Sequence, residues 1–224
     1  AIKKIKSSDA RKVIPKECYK LSLRKTFFWY VIDLIIFFTG MFLVFSADSS
    51  LVKLFGGFIS GIATAFLFVW AHDAAHGALF KSHKFSEFIG TISMLPSLNM
   101  YRMWSYGHNK VHHGFTSFTP IDLIWSPLTL KEYQQSTFLQ RLIYRIDRNF
   151  FTCAFHYFRH IWWNSMIMFN PGNNKQQKTD FRKGKLIILI YALLVSVVSY
   201  FYAGGIIGVI SALIIPFIVF NYFI

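Results

Sequence analysis

Four apolar runs limit what this chain can fold into more than any other feature. The first, Phe27 to Phe45, holds 19 residues with Asp33 as its one charge. As a helix at ~1.5 Å per residue it reaches about 28 Å, close to the hydrocarbon thickness of a bilayer. The second, Leu54 to Trp70, is rich in Gly and Ala (Gly56, Gly57, Gly61, Ala63, Ala65), which suits close packing of helices in lipid. A third runs from Leu186 to Tyr202 and a fourth from Ile206 to the end. Ala203, Gly204 and Gly205 make the turn between these two, so they read as a helical hairpin with Pro216 kinking its second arm. Composition agrees, with 54% hydrophobic residues and 15% charged, where soluble domains carry roughly 25% charged. Disorder is excluded, and Cys18 and Cys153 are too few for a disulfide scaffold.

A net charge of +14 raises nucleic acid as a partner, but its distribution follows membrane topology instead. Residues 1–26 hold nine Lys or Arg against Asp9 and Glu17, and residues 71–185 hold fourteen against six acids. The connection from Ser46 to Lys53 has one charge of each sign, and nothing after Lys185 is charged. Because Lys and Arg accumulate on the cytoplasmic side of membrane helices, both basic segments are expected there. The expected fold is an all-α membrane protein: four transmembrane helices in two hairpins, with a cytoplasmic helical cap. Its parts are a basic segment (1–26), a first hairpin (27–70), a cytoplasmic or interfacial region (71–185) and a second hairpin (186–224). Phe88 to Met100 is apolar but short and contains Pro96, so it is expected to be buried or re-entrant. Residues 139–163 read as one amphipathic helix lying flat on the interface, with Arg141, Arg145 and Arg148 on one face and Trp162 and Trp163 near its end. Those arginines meet lipid headgroups, or an acidic redox protein docks on them.

All eight histidines lie between positions 72 and 160. His72-Asp73-Ala74-Ala75-His76 places two imidazoles at i and i+4 on one helix face, close enough to share a metal. In His108-Asn109-Lys110-Val111-His112-His113, His108 and His112 share a face, and His113 lies about 100° around, within reach of a second metal. Imidazole suits zinc, copper, iron and nickel, so ligand type leaves the metal open. Five histidines exceed the three protein ligands of a catalytic zinc, and a two-metal centre fits them better.

The boxes HDAAH (72–76) and HNKVHH (108–113), 31 residues apart, resemble the first two histidine boxes of the integral-membrane fatty acid desaturases. The flanks KVIPKECYKLSLRKTFFWYVIDL, WSYGHNKVHHGFTS and IDLIWSPLTLKEY are most similar to acyl-lipid desaturases of the delta-12 (omega-6) type. The resemblance implies two non-haem irons held on the cytoplasmic face by His72, His76, His108, His112 and His113. It further implies O2-dependent insertion of a cis double bond into an acyl chain. With no flavin or nicotinamide fingerprint in the chain, the resemblance also implies an external electron donor, a ferredoxin or a small haem cytochrome, docking on the cytoplasmic face. The family's third box, His-x-x-His-His, is missing. Ala1 stands where a Met would open the chain and Ile224 ends it inside an apolar run, so both are expected to be cut ends of a longer protein, the short form inactive alone.

Asp73 fills a box position commonly acidic in the family. At about 100° from His72 on a helix, it is not expected to orient that ring. It accepts from a histidine on another helix, or pairs with a base such as Lys110. His156 and His160 have the same i, i+4 spacing but sit among aromatics, where an interfacial role is expected, and His83 reads as a solvated loop residue. Two other readings compete: a related di-iron hydroxylase or ketolase, and a zinc-dependent membrane hydrolase. Against the hydrolase, Asp73 stands where His-Glu-x-x-His enzymes carry their general base.

Overall fold

The computed structural model describes residues 11–116, 118, 121–122, 124 and 127–224, and these are helices joined by turns. The long ones are α1 (Leu23–Ser46), α2 (Ser50–Ala75), α8 (Lys175–Tyr202) and α9 (Ile206–Phe223), and each is long and apolar enough to cross a membrane. They coincide with the four apolar runs, extended mostly by polar residues where the helices leave the lipid. Between the hairpins lie α3 (His83–Met94), α4 (Tyr101–Tyr106, continuing as the π-helical Gly107–His112), α5 (Leu130–Gln135), α6 (Phe138–Arg148) and α7 (Ala154–His156, continuing as the π-helical Tyr157–Ile167).

Helix α2 is the centre of the bundle because its small residues let neighbours come close on both sides. A Cβ on Gly56 would meet the Gly40 carbonyl oxygen of α1 at 2.6 Å, and one on Gly57 would clash with the Ser211 carbonyl oxygen of α9. Asp33, the single charge of the first run, accepts a hydrogen bond from Trp70 Nε1 at 2.6 Å and so is satisfied between α1 and α2. Lys53 is 6% exposed and donates from Nζ to the carbonyls of Val44 (3.3 Å) and Ala203 (2.8 Å). Those oxygens lie at the C-terminal ends of α1 and α8, the negative ends of the two helix dipoles. One ammonium thus joins the turns of both hairpins. The second of these turns is made by Gly204 (φ 89°) and Gly205 (φ 70°). At the opposite end Phe68 of α2 packs on Phe220 of α9, ring centroids 4.9 Å apart.

The segment Phe88 to Met100 does not span. Helix α3 ends at Met94, a 3-10 turn follows over Leu95–Ser97, and Leu98 reverses the chain in the left-handed region at φ 53°. Trp162 Nε1 bonds the Leu98 carbonyl at 2.7 Å, and Asn99 Nδ2 bonds the Ser97 carbonyl at 2.8 Å, so the polar groups of this turn are satisfied within the fold. Both boxes therefore stay at one end of the bundle.

The single helix expected over 139–163 is two. Asn149 takes an extended conformation after α6, its side chain accepts from Phe151 N at 2.9 Å, and Thr152 Oγ1 bonds the Ile146 carbonyl at 2.6 Å. These local side-chain bonds compete with helix continuation. The expected arginine stripe is partly engaged with neighbouring residues: Arg141 bonds the carbonyls of Ser136 and Gln134, and the exposed Arg145 bonds the Tyr133 hydroxyl. His83 is the exposed first residue of α3 rather than part of a loop, since Ser82 caps that helix by accepting from Phe85 N. Pro216 sits two residues past a π-helical stretch, Ile210–Ile214, where the ladder of α9 adjusts to the missing proline N–H.

Candidate metal centre

The C-terminal end of α2 presents His72 and His76, and α4 crosses it carrying the second box. Asn109 ties the two together by donating from Nδ2 to the Ala75 carbonyl at 2.8 Å. The ring of His108 stacks on Trp104 at 4.4 Å and 13°, which fixes its plane. Four imidazoles then converge. His76 Nε2 lies 3.2 Å from both His72 Nε2 and His108 Nε2, and His108 Nε2 lies 3.0 Å from His113 Nε2. All four ligand atoms fall within 4.8 Å of one another.

His113, not His112, joins His108 on the shared face, a difference from the expectation based on helical spacing. Gly107–His112 is π-helical, and His113 N bonds the His108 carbonyl five residues back at 2.9 Å. The wider turn aligns i with i+5 instead of i+4. His112 stands beside the four, 5.4 Å between its ring centroid and that of His108, and donates from Nδ1 to Asp122 Oδ1 at 3.0 Å. Asp122 is 1% exposed and also accepts from Ile124 N at 3.1 Å. Nothing in the sequence singles out these roles for Asn109, which lies inside the second box, or for Asp122, nine residues past it.

Asp73 also departs from its expected place. It accepts from His72 Nδ1 at 2.9 Å, on its own helix. The near ring nitrogen of His72 turns sideways along the helix surface while the far nitrogen points into the cluster, so a neighbour about 100° around reaches it. A carboxylate only accepts, so Asp73 and Asp122 place the proton on Nδ1 of His72 and His112 and leave the lone pair on Nε2.

Burial comes first, and neighbouring imidazoles second, in lowering the pKa of His108 and His76. The His108 pKa is pushed down to about 3 by burial and then by His72, His113, His76 and His112. His76 is lowered by burial, His72 and His113, against an opposing pull from Asp73. Neutral nitrogens at 3.0–3.2 Å cannot all donate to one another, since His108 Nε2 faces two partners with at most one proton. A cation resolves this: nitrogens bound to one metal at ~2.0–2.1 Å are separated by about 3 Å. The donor set fits a metal, and its all-imidazole character suits the borderline transition metals.

His156 and His160 do not meet the boxed histidines. With Asp147 they form a second group whose donor atoms lie within 4.8 Å. Asp147, 6% exposed, is already bound by Arg159 and by His160 Nε2 (3.1 Å), and His156 donates to the Ile124 carbonyl at 3.3 Å. Beside His108 and His112 opens a cavity of about 410 Å³, apolar for most of its wall and lined by Met103, Val111, Ile161, Met166 and Phe169 among others.

The family model described as fatty acid desaturase matches residues 48–224. The chloroplastic omega-6 fatty acid desaturase of Brassica napus is 27% identical over 135 residues, 60% of this chain and 30% of that protein. The sn-1 oleoyl-lipid 12-desaturase of Synechocystis sp. is 24% identical over 226 residues, 97% of this chain and 60% of that protein. An sn-1 acyl-lipid omega-3 desaturase (ferredoxin) of the same organism is 27% identical over 135 residues, 60% of this chain and 37% of that protein. The chain thus spans between about a third and three fifths of the length of these relatives. A helical bundle with four membrane-length helices, a histidine cluster at one end and a family match over most of its residues agree with one another: this integral membrane chain belongs to the fatty acid desaturase family.

Proposed function

We propose that this protein acts as a membrane fatty acid desaturase that introduces a cis double bond into an acyl chain, with O2 as oxidant. The observation that carries the reading is the cluster of His72, His76, His108 and His113, with His112 beside it, opening onto an apolar cavity. Removing hydrogen from an unactivated methylene is beyond any side-chain acid or base. These histidines would hold two iron ions, which would supply that oxidising power.

The protein's own groups do the rest. Asp73 and Asp122 hold the Nδ1 protons, so that Nε2 of His72 and His112 keep their lone pairs and would be free to bind a metal. Trp104 locks the His108 plane. The buried walls of the cavity, Ile161 and Met166, hold an acyl chain beside His108 and His112 and keep bulk water from the reacting carbon. His72, His76, His108, His112 and His113 are the ligands in this reading, and Asp73 and Asp122 position them. The domain division of 1–26, 27–70, 71–185 and 186–224 goes with it, the third segment and the site lying on the cytoplasmic face.

A relative's name includes ferredoxin. The reduced donor here is a ferredoxin or a small haem protein docking on that basic face, and the substrate is an acyl lipid, as the relatives' names state for them. The test has two readouts. The protein, expressed in a host rich in monounsaturated lipid, gives diunsaturated chains in its fatty acid methyl esters, and the purified protein holds about two irons. Hydroxylated products without new double bonds overturn the desaturase reading in favour of a hydroxylase. One zinc and no iron overturns it in favour of a hydrolase.

A further inference from the structure

A second cleft, of about 220 Å³, runs between α3 and α8 with the start of α4 as its floor. Its two walls are helix ridges of matched polarity. Along α3 the lining passes from Glu87 through Thr91 to Leu95, just past that helix, and along α8 from Asp180 and Lys183 through Gly184 to Ile187 and Ile188. Residues four apart share a helix face, so each ridge changes from charged to apolar in two turns. Arg102 clamps the charged ends together, bonding Glu87 through Nε and Asp180 through Nη1 at 2.8 Å. Helix α8 becomes continuously apolar at Leu186, so the cleft straddles the level where its surface passes from water to hydrocarbon. Two acids and two bases at its mouth sum to no net charge.

The apolar end abuts the histidine cavity. Met100 lines the cleft and Met166 lines the cavity, and the two meet where Met100 N–H points at Met166 Sδ, 3.2 Å away. They are 2% and 3% exposed, so this contact lies buried between the two spaces, with the Met166 side chain on the cavity side and the Met100 side chain on the cleft side. Both are unbranched and rotate readily. Gly184 makes room for the first, since a Cβ there would stand 2.9 Å from Met100 Cγ and Sδ.

We propose that the cleft between α3 and α8 binds a membrane glycerolipid, with its uncharged or zwitterionic head against Arg102, Lys183, Glu87 and Asp180, and that Met100 and Met166 part to pass its acyl chain into the histidine cavity. This rests on the acyl-lipid reading above for its purpose, but not for its test. The full chain is reconstituted in phosphatidylcholine vesicles doped with phosphatidylcholine carrying a diazirine either near the ester or near the methyl end. After illumination the labelled peptides are mapped by mass spectrometry. The near-ester lipid labels peptides containing 87–95 and 180–188, and the methyl-end lipid labels those containing 103–111 and 161–169. Ile187→Trp, which fills the apolar end of the cleft, lowers methyl-end labelling of the cavity peptides at least tenfold. Leu189→Trp, on the exposed side of the same helix, leaves it unchanged. Equal cavity labelling in Ile187→Trp and the parent protein, or a labelled cavity with an unlabelled cleft, overturns the proposal. Labelling requires neither metal, O2 nor electrons. A protein that makes no double bonds yet labels in this pattern keeps the lipid path and loses the desaturase reading. One that makes double bonds with labelling insensitive to Ile187→Trp does the reverse.

Discussion

At the residue scale the site is a set of imidazoles whose orientation is fixed by what each ring's other nitrogen touches. Asp122→Ala removes the acceptor of His112 Nδ1 and frees the ring to turn, so metal affinity falls about 10- to 100-fold in a chelator competition titration, while helical content stays unchanged. His76→Ala and His108→Ala remove nitrogens from the centre of the cluster and abolish tight metal binding in the same titration. His156→Ala and His160→Ala leave it intact, because their partners are Asp147, Arg159 and Ile124 rather than the boxes. The cluster also makes the metal-free protein sensitive to acid. Burial and the neighbouring imidazoles push His108 down to about 3 from its ordinary 6.5, so between these values the unfolded chain takes up a proton that the folded one refuses. Stability of the metal-free form is therefore flat above about pH 7 and declines as pH falls from 6.5 toward 3. Thermal melts at pH 7.5 and 5 check this, and identical midpoints would contradict it.

At the element scale the four long helices were legible because hydropathy is a property of each segment alone, and the bilayer leaves few alternatives. The gathering of both boxes at one end was legible for the same reason, since Pro96 and the shortness of Phe88 to Met100 argued against a further crossing. What was not legible depends on geometry that no 3.6-residue period shows. His112 and His113 exchange places because Gly107–His112 is π-helical, and Asn149 breaks the helix expected over 139–163 where its side chain accepts from Phe151 N. Asp122 and Asn109 act on partners 10 and 34 residues away, contacts that composition and spacing do not carry. The π-helical turn gives its own prediction. Deleting Val111 shortens the segment by one residue and relaxes it toward α geometry, which rotates His112 and His113 against His108. Metal affinity should fall by at least as much as in His113→Ala, with the helical circular dichroism signal retained.

At the scale of the whole molecule the two hairpins share one polarity, with turns at one end and histidines at the other. If the histidine end is cytoplasmic, a cysteine introduced at Ser49, beside the Lys53 end, reacts with an impermeant thiol reagent from outside, while Cys18 and Cys153 do not. Labelling of Cys153 from outside inverts the assignment. Lys53→Met removes the ammonium between the hairpin turns and leaves the Val44 and Ala203 carbonyls without it, at a cost of about 1–3 kcal/mol, read as a lower unfolding midpoint in detergent. That ammonium also has a mechanical consequence. It clasps the hairpins like the rivet of a pair of tongs, and His72 sits 19 residues along α2 from it, about 28 Å at ~1.5 Å per residue. Over that arm a rotation of about 2° at the rivet moves the jaws by about 1 Å, so small tilts of the hairpins in the bilayer are felt most where the imidazoles meet.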